Sequence, residues 1–165
     1  MSKHLEQLKR ELRSPDAITD LLESNRWMQE LNWANIDQFS RFLSVYSAQP
    51  GQLIFSEGDA STYLSLIVEG AVDIIKSDSQ DEQRHLVSLG SGHAFGEMAL
   101  IDSGVRSASA RATAPTTILV VDNESFENLC LEFPDLGLVI VRRIARDLSA
   151  RLRHSSGILV DYLQA

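Results

Sequence analysis

The chain is poor in residues that build several common kinds of site. It has one cysteine, Cys130, among 165 residues. A lone thiol forms no intramolecular disulfide, so the chain suits a reducing compartment. It also cannot hold an iron–sulfur cluster on cysteines of its own. Set among Phe126, Leu129 and Leu131, Cys130 reads as a small core hydrophobe. Basic residues are scarce too: 15 Lys and Arg against 23 Asp and Glu leave a formal net charge of −8. Non-specific nucleic-acid binding relies on the opposite sign, because it neutralises phosphates. The four histidines, His4, His85, His93 and His154, are scattered, and the spacing from His93 to Glu97 fits no closed set of metal ligands. No nucleophile stands beside a plausible base, so the chain is not expected to be an enzyme. Long apolar runs are missing as well. The stretches at 118–121 and 136–141 fall far short of the ~20 residues of a membrane span. The first residues, through Leu12, have no apolar signal-peptide core. A soluble, cytoplasmic protein without membrane or DNA partners is expected.

What is present is an ordinary globular composition, 44% hydrophobic and 23% charged, in a length that supports one domain with a real core. Leu5, Leu8 and Leu12 recur at helical spacing. Ser14-Pro15 then reads as the N-cap and first residue of a second helix that buries Ile18, Leu21 and Leu22. Asn35 to Gln38 resembles a capping box ahead of Phe39, Phe42 and Leu43. The first 45 or so residues are therefore predicted helical, with Trp27 and Trp33 as their anchors to the remainder of the domain. After Pro50 the pattern changes to short β-branched and aromatic runs at 53–55, 63–68, 71–75, 86–89, 108–114 and 116–121. Gly, Ser, Asp and Pro turns separate them, the spacing of a β-sandwich or barrel. Residues 77–83 read as a solvated hairpin tip. Helices return at 123–132 and from 135 to the end. In the long one Leu138, Val141, Ala145, Leu148, Leu152, Ser155, Leu159 and Tyr162 alternate steps of three and four, a coiled-coil seam. Ile140 and Ile144 lie beside it, and the arginines from Arg142 to Arg153 form a solvated face.

Residues 95–112 are the most informative stretch. They are apolar or small except for a few polar groups, chiefly the carboxylate of Glu97 and the guanidinium of Arg106. Gly96, Ala99, Gly104, Ser107, Ala108, Ser109 and Ala110 surround these two. Small residues let backbone approach a ligand and leave N–H groups uncovered. A carboxylate there accepts hydrogen bonds from hydroxyls, and an arginine pairs with an oxyanion. A phosphorylated sugar suits that pair.

The same residues resemble the phosphate-binding cassette of the cyclic nucleotide-binding domain family, found in bacterial catabolite-activator proteins and in regulatory subunits of cyclic-AMP-dependent protein kinase. Phe95, Gly96, Glu97, Ala99, Leu100, Arg106, Ser107 and Ala108 fall on its pattern. Pro50-Gly51, Glu57-Gly58-Asp59, the run from Tyr63 to Gly70, and Gly90-Ser91-Gly92 match its strand and turn signals in order. The resemblance implies an α+β, mainly β fold: a β-roll or jelly-roll barrel flanked by N-terminal helices and a long C-terminal helix. Its expected parts are residues 1–45, helical; 46–122, the β-roll carrying the cassette; and 123–165, the C-terminal helices.

By that resemblance Glu97 contacts the ribose 2′-hydroxyl, Arg106 the cyclic phosphate, and Ser107 lies beside it. Gly96, Met98, Ala99 and Ala108 complete the cassette, whose short helix at 98–101 aims N–H groups at the phosphate. Ile74, Leu86 and Val87 form the platform for the base. Arg151 and Leu152 occupy the base-facing positions of the C-terminal helix, where the catabolite activator has small hydroxyl residues. His93 and Val105 replace an acidic residue and a proline. The implied ligand is cyclic AMP, with cyclic GMP as the other candidate, and no cofactor or metal is expected. The implied function is a receptor or regulatory module that signals through the C-terminal helix, as a homodimer, to an effector protein. The alternatives are a ligand-blind interaction module with the same fold, or a transcription regulator lacking its DNA-binding domain, since no helix-turn-helix follows in this chain.

Overall fold

A computed structural model describes residues 3–163. The chain divides into two compact units, Met1–Glu127 and Asn128–Ala165.

The first unit opens with a 3-10 turn at Leu5–Gln7 and a strand, β1 (Lys9–Glu11). This corrects the helix expected from the leucine spacing. Leu5 and Leu8 are buried, but Leu12 is 95% exposed, so the three leucines do not share a helical face. Instead β1 pairs antiparallel with β2 (Ser44–Ala48), Arg10 opposite Tyr46, and that ladder takes up backbone groups which so short a helix would leave to water. Helix α1 (Pro15–Glu23) follows the predicted cap, with the Ala17 amide donating to Ser14 Oγ at 3.3 Å. Helix α2 (Trp33–Ser40) starts earlier than predicted, because Asn32, not Asn35, caps it: the Asn35 amide donates to Asn32 Oδ1 at 2.9 Å. Trp27 is buried, as an anchoring role requires, whereas Trp33 at the start of α2 is 62% exposed.

The remaining strands are β3 (Leu53–Phe55), β4 (Tyr63–Glu69), β5 (Ala71–Ser77), β6 (Gln83–Gly90), β7 (Ala94–Phe95), β8 (Ser109–Ala112) and β9 (Thr116–Asp122), with a short helix α3 (Glu97–Asp102) between β7 and β8. Among the described residues they form a five-stranded sheet, β1-β2-β9-β4-β7, and a four-stranded sheet, β3-β8-β5-β6. Every pairing is antiparallel. Alternate residues of the two sheets, including Ile54, Tyr63, Ile67, Val72, Phe95, Ala110, Ile118 and Val120, build one apolar core. This is the α+β, mainly antiparallel architecture expected. The predicted strands were right in kind: 53–55 is exact, 63–68, 71–75 and 116–121 fall one or two residues short, 86–89 is four short, and 108–114 overruns β8 by three. β2 and β7 were missed, the latter only two residues long.

The turn from β4 to β5 depends on Gly70. Its φ of +91° favours glycine, and a Cβ there would lie 2.4 Å from the Pro115 carbonyl oxygen. The hairpin tip between β5 and β6 is polar, as read: Asp78 Oδ1 accepts from the amides of Gln80 and Glu82, and Arg84 Nε donates to its other oxygen.

The second unit comprises the end of α4 (Asn123–Glu132) and the 30-residue α5 (Pro134–Leu163). Their junction is tight, since a Cβ on Gly137 would meet Cys130 Sγ at 2.8 Å. Cys130 is half-buried there. Along α5, Ile140 and Ile144 are buried, while Leu138, Val141, Leu152 and Leu159 of the predicted seam are exposed. The side chain of Tyr162 lies outside the described residues.

On β4, Ser65 is fully buried and its hydroxyl makes no hydrogen bond. A desolvated hydroxyl without a partner costs stability. Ser65→Ala is therefore expected to leave the melting temperature unchanged or raise it, by up to about 2 kcal/mol of stability. Thermal unfolding of the variant checks this, and a clear loss of stability would show that the hydroxyl is bonded.

Candidate functional site

Phe95 ends β7 inside the core, and Gly96 turns the chain into α3 with φ +78°. Gly96 answers two constraints at once. The left-handed backbone disfavours a side chain, and a Cβ would stand 2.6 Å from Arg106 Nη1 and 3.1 Å from the Tyr63 carbonyl oxygen. The space that glycine leaves is filled by the guanidinium of Arg106.

Arg106 is only 2% exposed. Its Nε donates to Ser61 Oγ at 2.9 Å, and its Nη1 donates to the Gly96 carbonyl at 2.7 Å. The guanidinium lies over Phe55 at 4.0 Å and over Tyr63 at 4.1 Å from the ring centroids. Tyr63 is itself held by donating to the Ile54 carbonyl at 2.8 Å. Burial pushes the guanidinium pKa below its ordinary value, while Tyr63, Asp59 and Glu97 act in the opposite sense. An arginine stays charged under such a shift. Nη2 is buried and makes no hydrogen bond, so one N–H edge of a charged, immobilised group is left over.

The backbone of Arg106 is as constrained as its side chain. Its amide donates to the Asp59 carbonyl, and its own carbonyl accepts from the Gly58 amide, both at 2.9 Å. The turn at 56–59 is closed by the Ser56 amide donating to Asp59 Oδ2. Glu97 is 3% exposed at the first position of α3, which spans one residue more at each end than expected.

The other expected residues differ in exposure. Ala99 and Ala108 are buried, Met98 is 45% exposed, and Ser107 is exposed with its hydroxyl directed at Met98 Sδ, 3.5 Å away. Ile74 is partly buried against the core and faces Val87 across the β5–β6 ladder. The register slips after Ile74, leaving Leu86 as the bulged residue of β6. A bulge re-aims side chains, and Leu86 and Val87 are both exposed. Arg151 and Leu152 belong to the second unit, where both are exposed on α5.

Sequence reading found the charges but not what holds them. Phe55, Ser61 and Tyr63 enclose Arg106 from 43 to 51 residues away, and such distances leave no periodic signal. Among the described residues no group of three His, Cys, Asp or Glu could hold a metal ion, and no helix is long and apolar enough to cross a membrane.

The family model for the cyclic nucleotide-binding domain matches residues 46–133, from β2 through the cassette to the end of α4. The chain belongs to that family. It is 35% identical over 105 residues to the cyclic AMP receptor protein of Thermus thermophilus, covering 64% of this chain and 47% of that protein. It is 31% identical over 112 residues to a cyclic nucleotide-gated potassium channel of Rhizobium etli, covering 68% of this chain and 30% of the channel. The chain thus spans less than half the length of these relatives. Among solved structures, a cyclic nucleotide-binding domain from Methylobacillus flagellatus superposes with a TM-score of 0.81 at 25% identity, over 94% of this chain and 89% of that one.

Because Arg106 is packed as well as charged, it should matter without any ligand. Arg106→Ala removes a cation held by two aromatic rings and leaves Ser61 and the Gly96 carbonyl without their donor. Roughly 3 kcal/mol of stability is expected to be lost. Denaturant unfolding in nucleotide-free buffer measures this. A variant as stable as the wild type would show that the arginine does not hold the cassette.

Proposed function

We propose that this domain is a cyclic nucleotide receptor that takes the sugar-phosphate of its ligand at the cassette. The observation that carries this reading is the left-over Nη2 of the buried Arg106. A desolvated guanidinium with one edge unsatisfied gains strongly from an oxyanion. A cyclic phosphate carries one negative charge, so one arginine edge with nearby main-chain donors can neutralise it. Glu97, at the start of α3, is the partner for a ribose hydroxyl, and Ser107 is the polar neighbour of the phosphate. Gly96, Met98, Ala99 and Ala108 supply close backbone approach. Ile74, Leu86 and Val87 offer an apolar surface for the base. Cyclic AMP is the first candidate and cyclic GMP the second, since Ser107 is compatible with either. The output is assigned to α5, whose exposed leucines suit a homodimer, and through it to an effector protein.

One observation favours a ligand-blind module instead. Arg106 already spends two of its three nitrogens on Ser61 and Gly96, so it has a structural role that would survive loss of ligand binding. Thermal shift separates the two readings. A ligand at a hundredfold excess over its dissociation constant stabilises by about 2.7 kcal/mol, which raises the melting temperature by several degrees. Cyclic AMP or cyclic GMP is expected to produce that rise in the wild type. No shift with either would leave the ligand-blind reading. For the dimer, Leu152→Arg is expected to lower the mass seen by sedimentation equilibrium to that of one chain, and a wild type that already sediments as one chain would exclude the seam as a dimer interface.

A further inference from the structure

Beside the exposed residue that follows Arg106 lies an ion pair that neither the core nor Glu97 and Arg106 require. Lys76 lies near the end of β5. Its Nζ donates to the carbonyl oxygen of Ser107 at 2.6 Å and to Glu57 Oε1 at 2.9 Å. The second oxygen of Glu57 accepts from the Ser77 amide at 2.9 Å, and the Glu57 amide donates to Ser109 Oγ at 2.9 Å. The Ser77 amide, and after it Lys76, hold the Glu57 carboxyl below the ordinary carboxylate value, so it is ionised at neutral pH.

These contacts close a ring. The turn at 56–59 is bonded to both backbone groups of Arg106 and, through Glu57, to Ser109. Lys76 joins that turn to the carbonyl of Ser107, between the two. A peptide is planar and trans, so fixing the Ser107 carbonyl fixes the Ala108 N–H on the opposite edge of the same plane. Most surface ion pairs contribute little to stability, and this one is half open to solvent. Its geometry is specific all the same: a lysine with three donors spends one on a main-chain carbonyl inside the stretch read as phosphate-binding.

We propose that Lys76, oriented by Glu57, is a positioning residue for the anion site. By gripping the Ser107 carbonyl it sets the peptide plane at Ser107–Ala108, and hence how that arm meets a phosphate oxygen. The proposal rests on the reading of the cassette as a cyclic nucleotide site. It assigns no ligand contact to Lys76 itself.

The test uses the full chain and the variants Lys76→Met, Lys76→Arg and Glu57→Gln. Binding of cyclic AMP, cyclic GMP and the two phosphorothioate diastereomers of whichever binds is measured by calorimetry. Lys76→Met is expected to weaken binding about tenfold, within the range by which residues outside a site modulate it. It should also change the affinity ratio of the two diastereomers, because they differ only in which phosphate oxygen is replaced. Lys76→Arg should restore much of both, Glu57→Gln should fall between, and melting temperatures should stay within about 3 °C of the wild type. Wild-type affinity and an unchanged diastereomer ratio in Lys76→Met would overturn the proposal. So would a uniform weakening that follows a fall in melting temperature. If the wild type binds no cyclic nucleotide, the receptor reading has failed, and the clasp is judged by amide hydrogen exchange alone. Faster exchange at 107–109 in Lys76→Met supports it, and unchanged exchange overturns it.

Discussion

The burial of one guanidinium organises this domain. A cation removed from water must recover its hydration from fixed groups, and Arg106 does so from Ser61, the Gly96 carbonyl and the faces of Phe55 and Tyr63. Each of these partners is on a different segment. Ser61 lies in the loop before β4, Tyr63 begins β4, Phe55 ends β3, and Gly96 joins β7 to α3. The arginine therefore ties together four places that the two sheets bring near one another. It tolerates no side chain at position 96, which explains the glycine better than turn geometry alone.

The same arrangement leaves a structural residue with capacity to bind: under the proposed function, the unpartnered Nη2 is what an anion would meet. A fully satisfied buried cation would be inert, and a fully exposed one would be mobile and hydrated. Arg106 is intermediate: immobile, desolvated and short of one acceptor. Attraction to an anion there is local. With a net charge of −8 over the chain, the long-range field disfavours phosphate, and screening limits that field to about 8 Å at physiological salt. For the proposed receptor, discrimination between ligands would therefore rest on geometry at contact rather than on steering.

Much of this could be read from residue order. Local rules located α1 by its Ser14-Pro15 start and α4 to the residue. Short β-branched and aromatic runs between turn residues located six of the strands. The charged pair among small residues marked the candidate site, and the motif order carried the family. The errors came from tertiary pairing. Leu5, Leu8 and Leu12 have helical spacing, yet an edge-strand position beside β2 gave the backbone of Lys9–Glu11 between them a better partner than a short helix could. Trp33 was expected to anchor the N-terminal helices and is mostly solvent-facing at a helix start. Asn32 and Asn35 are both competent caps, and only the helix start selects between them.

What the sequence determined by itself were the features encoded within a few residues: caps, turns, β-branched runs, and a Gly-Glu followed nine residues later by Arg-Ser. Tertiary structure decided how those charges are held. Sequence left open whether Arg106 faced solvent, Glu97 or an aromatic cage, because Phe55, Ser61 and Tyr63 lie outside the span of any local pattern. It likewise gave no sign that Lys76 would close on Ser107, 31 residues away. Antiparallel pairing of β5 with β8, Ile75 opposite Ser109, is what places that ammonium beside the cassette. Register between strands depends on the whole core being packed at once, and no stretch of chain specifies it alone.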